Sequence, residues 1–209
     1  YEIISNNFYG HDSWEGMYGV NGVGRAFYYE GGLFATIFTQ ADATLDKPTH
    51  VSAHHQHLAL GFRAGSVQLS VIGEPNNFNG IDGASEFGAG DRVTGLLPLN
   101  GTTLGVFCES CIKGISGTTV DNFALETLSP NTGCLEYTLV DMGFPVFCNT
   151  FGINKLDQTA AYGNYLPDTL SKPVSVWLRP RLCSINGKKS VNSSVIAALP
   201  VRSKNQYRL

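Results

Sequence analysis

The sequence predicts an all-β fold of antiparallel hairpins that form β-propeller blades, and three observations predict it. Apolar stretches of four to eight residues alternate with Gly, Asn, Asp and Pro clusters almost from end to end of the 209 residues, the pattern of short strands joined by turns. Glycine accounts for 24 of those residues, about 11% against a usual ~7%, while helix-favouring blocks of Ala, Glu, Lys and Leu are scarce. The third observation is a repeat: Val67 and Ile112 lie 45 residues apart, Gly73 and Gly117 44, Phe78 and Phe123 45, and Ile112 and Ile153 41. A period of about 40 to 50 residues built on a hairpin is the signature of four-stranded blades. One small sheet cannot bury both its faces alone, whereas sheets packed face to face bury them on each other. The competing architecture is a β-sandwich whose hairpins merely look alike. Residues 1–209 form a single propeller-like region of about four and a half such repeats, so the sequence predicts part of a larger propeller-containing subunit.

Taken in order, the first hairpin runs from Gly24 to Tyr29, turns at Glu30-Gly31-Gly32 and returns through Leu33–Phe38. The second is His57–Phe62, a turn at Arg63-Ala64-Gly65, and Ser66–Val71. The third joins Thr103–Phe107 to Cys111–Ile115 through Glu109-Ser110, and the fourth joins Pro145–Cys148 to Ile153–Leu156. Leu58, Leu60, Val67, Leu69, Leu104, Val106, Ile112, Val146 and Ile153 are the expected blade-core residues. No long segment shows a helical period, and the closing Ser203–Leu209 reads as a strand that would continue into, or be completed by, further polypeptide. The opening at Tyr1 without a Met fits a piece of a longer chain.

Composition narrows the function classes. With 43% hydrophobic and 15% charged residues, the chain can bury a core and is not disordered. No apolar run approaches the roughly 18 to 20 residues of a membrane span. Fourteen basic and 17 acidic residues give a formal charge of −3 and a pI of about 5.9, so there is no global basic field to hold nucleic acid and no basis for sequence-specific DNA reading. So sparse a charge points to a surface covered by neighbouring subunits.

No catalytic constellation, cofactor motif or metal site emerges. Four histidines, His50, His54, His55 and His57, crowd together. On a strand His55 and His57 share one face and His54 the other, so at most two ligate together, and packing and hydrogen bonding are their expected roles. Cys108-Glu109-Ser110-Cys111 has the gap of a zinc knuckle, but it sits on a hairpin turn without a second pair. Cys108, Cys111, Cys134, Cys148 and Cys183, odd in number and irregular in spacing, read as reduced thiols. Glu86 with Asp91, Asp82, Glu136 with Asp141, and Asp157 are the carboxylates a hydrolase would draw on, yet spacing singles out none, and carboxylates beside Gly or Asn bond turn backbone. Asn100-Gly101-Thr102 and Asn192-Ser193-Ser194 are glycosylation triplets only in a secreted protein.

Against this background Gly65-Ser66-Val67, Ser70, Gly73-Glu74-Pro75 and Asn77-Phe78 carry a resemblance. It continues through Glu86-Phe87, Gly90-Asp91, Thr94-Gly95-Leu96, Leu104, Val106-Phe107, Ile112, Gly117 and Asn122-Phe123. Ser129, Gly133-Cys134, Val146-Phe147, Gly152-Ile153 and Ser203–Leu209 complete it. These stretches resemble the tail nozzle proteins of short-tailed bacteriophages, also called hub, tail tubular or packaged-DNA stabilisation proteins. The resemblance implies a non-enzymatic virion protein of the phage tail, a subunit of a homo-oligomeric, usually hexameric ring below the portal and adaptor. Such a ring contacts tail fibre or needle proteins, encloses the channel through which double-stranded DNA passes without sequence specificity, and helps retain and eject the genome. It implies no catalytic residue, cofactor or metal. A subunit of that kind is longer than this chain. The alternative from another class is a tail-associated glycan-binding or polysaccharide-degrading propeller, which would need exposed aromatics such as Trp14, Tyr28 or Trp177 beside close carboxylates.

Overall fold

Tight turns cut the chain into strands of two to seven residues, each paired with its neighbour in sequence. The structure, a computed structural model, describes residues 1–10, 15–99, 102–158, 165–182, 196–204 and 206–209. The first sheet contains β1 (Glu2–Asn7), β2 (Glu15–Val20), β3 (Phe27–Glu30) and β4 (Leu33–Thr36). The second contains β5 (His50–His54), β6 (His57–Gly61), β7 (Ser66–Leu69) and β8 (Ser85–Gly88). The third contains β9 (Val93–Pro98), β10 (Thr103–Cys108), β11 (Ile112–Ser116) and β12 (Ala124–Ser129). The fourth contains β13 (Val140–Asp141), β14 (Pro145–Asn149), β15 (Gly152–Gln158) and β16 (Tyr165–Thr169). In all four of these four-stranded sheets spatial order follows chain order, and every pairing is antiparallel. A short helix, α1 (Ser175–Leu182), and a two-stranded hairpin of β17 (Leu199–Val201) and β18 (Gln206–Arg208) follow. The fold is thus mostly β, and each of the four expected hairpins is present, as β3–β4, β6–β7, β10–β11 and β14–β15.

The repeat has a structural meaning, because Val67, Ile112 and Ile153 all lie on the third strand of their sheets. Side chains alternate between the faces of a strand, and here both faces of the inner sheets are covered. Leu58 and Leu60 meet Phe8, Tyr18, Val20 and Ile37 of the preceding sheet and the chain that leaves it. Ala59, Val67 and Leu69 instead meet Val93, Leu104, Val106 and Ile115 of the third sheet. Phe107 and Ile112 turn to Phe147 and Leu156 of the fourth. Two-sided burial explains the unbroken apolar run Leu58-Ala59-Leu60, buried throughout.

Of the expected core residues, only Ile153 departs: it is half-buried, while its neighbours Asn154 and Leu156 are fully covered. Val67 and Ile112 face a whole sheet, but among the described residues Ile153 faces α1, which lays Leu178 and Leu182, one helical turn apart, on the fourth sheet. This helix is a departure from the purely β expectation. Its eight residues contain Pro180 and show no amphipathic pattern, so no periodicity announces it.

The histidine segment is a hairpin rather than a continuous strand. His55 and Gln56 form its two-residue turn at φ 43° and 67°, so His54 pairs directly across from His57. This corrects the expected alternation of His55 with His57. Such turns require positive φ at both positions and favour Gly or Asn, as Gly31-Gly32 provides between β3 and β4. His55 and Gln56 adopt it because Gln56 is anchored: its carbonyl accepts from Gly73 N–H at 2.8 Å and its Oε1 from Tyr9 N–H at 2.7 Å.

The closing strand is shorter than expected. Arg202–Lys204 is a 3₁₀ turn, and only Gln206–Arg208 pairs, with Leu199–Val201. The hairpin is fixed beside β13, where Tyr207 Oη donates to Thr138 O at 2.8 Å. No helix among the described residues is long and apolar enough to cross a membrane.

Candidate functional site

The heads of the first strands gather, β1 beside β5 and β5 beside β9, and each entry delivers one polar side chain to the same place. Glu2 opens β1, His50 opens β5, Arg92 precedes β9 and Glu136 lies on the segment leading into β13. Their intervals of 48, 42 and 44 residues follow the repeat. His50 is 1% exposed, and its Nδ1 lies 2.8 Å from Glu2 Oε2. The other Glu2 oxygen accepts Val51 N–H at 3.2 Å. His50 Nε2 faces Glu136 Oε1 at 3.8 Å. That oxygen accepts from Arg63, on the β6–β7 turn, at 3.0 Å, while Oε2 accepts from Arg92. The hydrogen bond that Arg63 donates to Glu136 holds its guanidinium above the ordinary arginine range. Tyr137, at φ 64°, sets its ring 6.1 Å from that of His50.

Two carboxylates, two guanidiniums and an imidazole thus form a clasp of compensated charge. Both Glu136 oxygens accept hydrogen bonds from guanidinium groups, a geometry suited to holding elements together rather than to moving protons. Sequence reasoning set Glu136 beside Asp141; the structure sets it beside Arg92 and Arg63 instead. Asp141 bonds Gly143 N–H at 2.8 Å. Glu2, Arg63 and Arg92 were missed. The signal that could have found them is the repeat itself, obscured because each repeat contributes a different residue type.

The other candidates are accounted for locally. His54 Nε2–H donates to Gly117 O at 3.2 Å, and His57 lies 2.6 Å from Ser70 O through Nδ1 and 3.4 Å from Thr118 O through Nε2. Packing and hydrogen bonding therefore describe both. Asp91 caps the β10–β11 turn by accepting from Ser110 N–H and Oγ–H, each at 2.7 Å. Asp82 accepts from Asn77 and Asn79, Glu86 from Ser66, and Asp157 pairs with Lys155. No disulfide joins Cys108, Cys111, Cys134 or Cys148. Burial pushes the Cys108 thiol far up, with Cys111 adding to it, and raises Cys134 to about 12, so neither is a nucleophile near neutrality. Among the described residues no group of three or more His, Cys, Asp and Glu is placed to hold a metal ion. Tyr28 packs between the first two sheets and Trp177 lies on α1 against the fourth, so the two aromatics stand on different sheets. Trp14, Cys183, Asn192-Ser193-Ser194 and Asn100-Gly101 lie outside the described residues.

His54, at the far end of β5 from the clasp, gives the fold a pH dependence. Burial first, then the neighbouring His55, pushes its pKa down from 6.5 to about 4, with His57 adding and the Gly117 carbonyl opposing. Between those values the unfolded chain binds a proton that the folded chain refuses, so stability falls as the pH drops from about 6.5 through about 4. The full loss is about 3 kcal/mol. Urea unfolding across that window is expected to show a slope one proton steeper for the chain than for His54→Gln. Compared with known proteins, the chain matches no family model and no curated protein.

Proposed function

We propose that residues 1–209 are a β-propeller region of a structural ring subunit in the tail nozzle of a short-tailed bacteriophage. In this reading the ring surrounds the DNA exit channel below the portal and adaptor. The observation that carries the propeller part is the clasp. Stacked sheets lie about 10 Å apart, so a linear stack would put the entry to the fourth sheet roughly 20 Å from the second. Instead Glu136 approaches His50 to 3.8 Å, and His50 in turn holds Glu2. Sheets that share both faces with their neighbours and converge at the heads of their first strands fan about an axis, as blades do.

The tail role rests on the sequence resemblance, and the geometry supports a structural part over a hydrolytic one. A glycosidase needs two free carboxyl groups across a cleft. Here Glu136 is held by Arg63 and Arg92, and Asp82, Glu86, Asp91 and Asp157 are engaged in local hydrogen bonds or an ion pair. Antibody labelling of intact particles against this chain, followed by electron microscopy, is expected to mark a ring at the tail. Label on fibres or spikes, or reducing ends released when the chain is incubated with host polysaccharide, would replace this reading with the glycan one.

A further inference from the structure

The third sheet holds two thiols side by side at its β10–β11 turn. Cys108 ends β10, Cys111 immediately precedes β11, and Cys108 N–H donates to Cys111 O at 2.9 Å across the exposed residues Glu109 and Ser110. The two cysteines stand opposite each other one step beyond the paired Phe107 and Ile112, which puts both side chains on one face. Both pack in the cluster between the second and third sheets. Opposed residues of antiparallel strands are about 4.5 to 5.5 Å apart at Cα, inside the roughly 4.4 to 6.8 Å that a disulfide spans. The thiols also meet: burial raises the Cys108 thiol most, and the charge of Cys111 and a side-chain hydrogen bond with it add to the rise. Cys108 is fully buried, whereas Cys111 is half-buried and within reach of solvent.

The turn between them is a strut of the clasp. Glu109 N–H donates to Arg92 O at 3.0 Å, and Ser110 is held by Asp91, the residue before Arg92. On the other side Cys134 N–H donates to Cys108 O at 2.8 Å, and Gly133 passes so close to Glu109 O that a Cβ there would clash with it. Glu136 follows two residues after Cys134, so this turn sets the spacing between Arg92 and the segment that brings Glu136 to it. We propose that Cys108 and Cys111 are a thiol–disulfide exchange site, which closes on a low-molecular-weight disulfide such as glutathione disulfide and staples this strut. Cys111, the sulfur that solvent reaches, reacts first. Its thiolate attacks one sulfur of glutathione disulfide, the S–S bond breaks, and one glutathione leaves as a thiolate that takes up the proton Cys111 released. Cys108 then attacks the Cys111 sulfur, and the second glutathione leaves with the Cys108 proton. The pair loses two electrons and two protons, and two glutathione thiols are formed. Cys108 suits the second step because two of the causes that raise its thiol, the charge and the hydrogen bond of Cys111, vanish once Cys111 carries glutathione, while Lys113, two residues beyond Cys111, still favours its thiolate. The inference requires nothing of the tail reading.

The test incubates the folded full-length chain with glutathione disulfide, alkylates the remaining thiols and reads the products by mass spectrometry. The expected loss is two alkylatable thiols out of five, reversed by a dithiol reductant. Cleavage after Glu109 should leave Cys108 and Cys111 on fragments joined only by the new bond. Cys111→Ser is expected to keep its remaining thiols free, and Cys108→Ala to stop with one glutathione on Cys111. Cys108→Val repeats the second variant if circular dichroism shows that the alanine chain has not folded. Hydrogen exchange at the Glu109 and Cys134 amides, which bond Arg92 O and Cys108 O, is expected to slow severalfold on closure and to recover on reduction. Four results overturn the site: glutathione that persists on Cys111 of the unaltered chain, which means that Cys108 cannot reach it; a bond between any other pair of cysteines; five thiols still open to alkylation; or amide exchange at Glu109 and Cys134 that ignores closure, which means that the turn is no strut.

Discussion

Glu136→Ala is expected to lower the unfolding free energy by about 3 kcal/mol, because removing one partner of a largely buried ion pair strands the charges left behind. The Glu136 side chain is 10% exposed, against 32% for Arg92 and 55% for Arg63, so water reaches the guanidiniums and keeps the loss at the lower end of the usual 3 to 5 kcal/mol. Urea denaturation measures it. Arg92→Ala should cost clearly less in the Glu136→Ala background than alone, since the two share one interaction. Additive losses would show that Glu136 is not the centre of the clasp.

Phe107→Ala is expected to cost about 3 to 5 kcal/mol. Phe107 is fully buried between the third and fourth sheets and meets the edge of Phe147 at 5.4 Å, a pairing worth about 0.5 to 1.5 kcal/mol beyond the buried area. Ile153→Ala, on the half-buried position under α1, is the comparison and should cost far less. A Phe107 loss no larger than that of Ile153 would mean that the two sheets are not packed as described.

How much of this was legible depended on whether a residue's role was local. Val67, Ile112 and Ile153 announced the repeat because third strands keep their apolar character from sheet to sheet, and three of the four hairpin turns announced themselves through glycine, at Gly31-Gly32, Gly65 and Gly152. First strands were harder to read. β5 ends in His54, and its turn uses His55 and Gln56 where the chemistry of such turns leads one to expect Asn or Gly. The reason lies in Tyr9 and Gly73, which hold Gln56 from distant positions. The clasp was invisible for a related reason. Glu2, His50, Arg92 and Glu136 share a place but not a chemistry, so no pattern of residue type could reveal them. α1 stayed hidden because Leu178 and Leu182 alone, with Pro180 between them, make no stripe.

The meander order of the sheets has a consequence for how the chain acquires its structure. Every strand in a sheet pairs with one adjacent in sequence, so each sheet can form from local contacts, which are the fast ones. Emerging during synthesis, the sheets can close in turn from the N-terminus. The clasp obeys a different clock: Glu2 and His50 meet early, but Arg63 and Arg92 have no carboxylate from Glu136 until the entry to the fourth sheet has been made. A chain interrupted before residue 136 should therefore hold its hairpins while the heads of its first strands lack their common anchor, and refolding should show a late phase that Glu136→Ala abolishes.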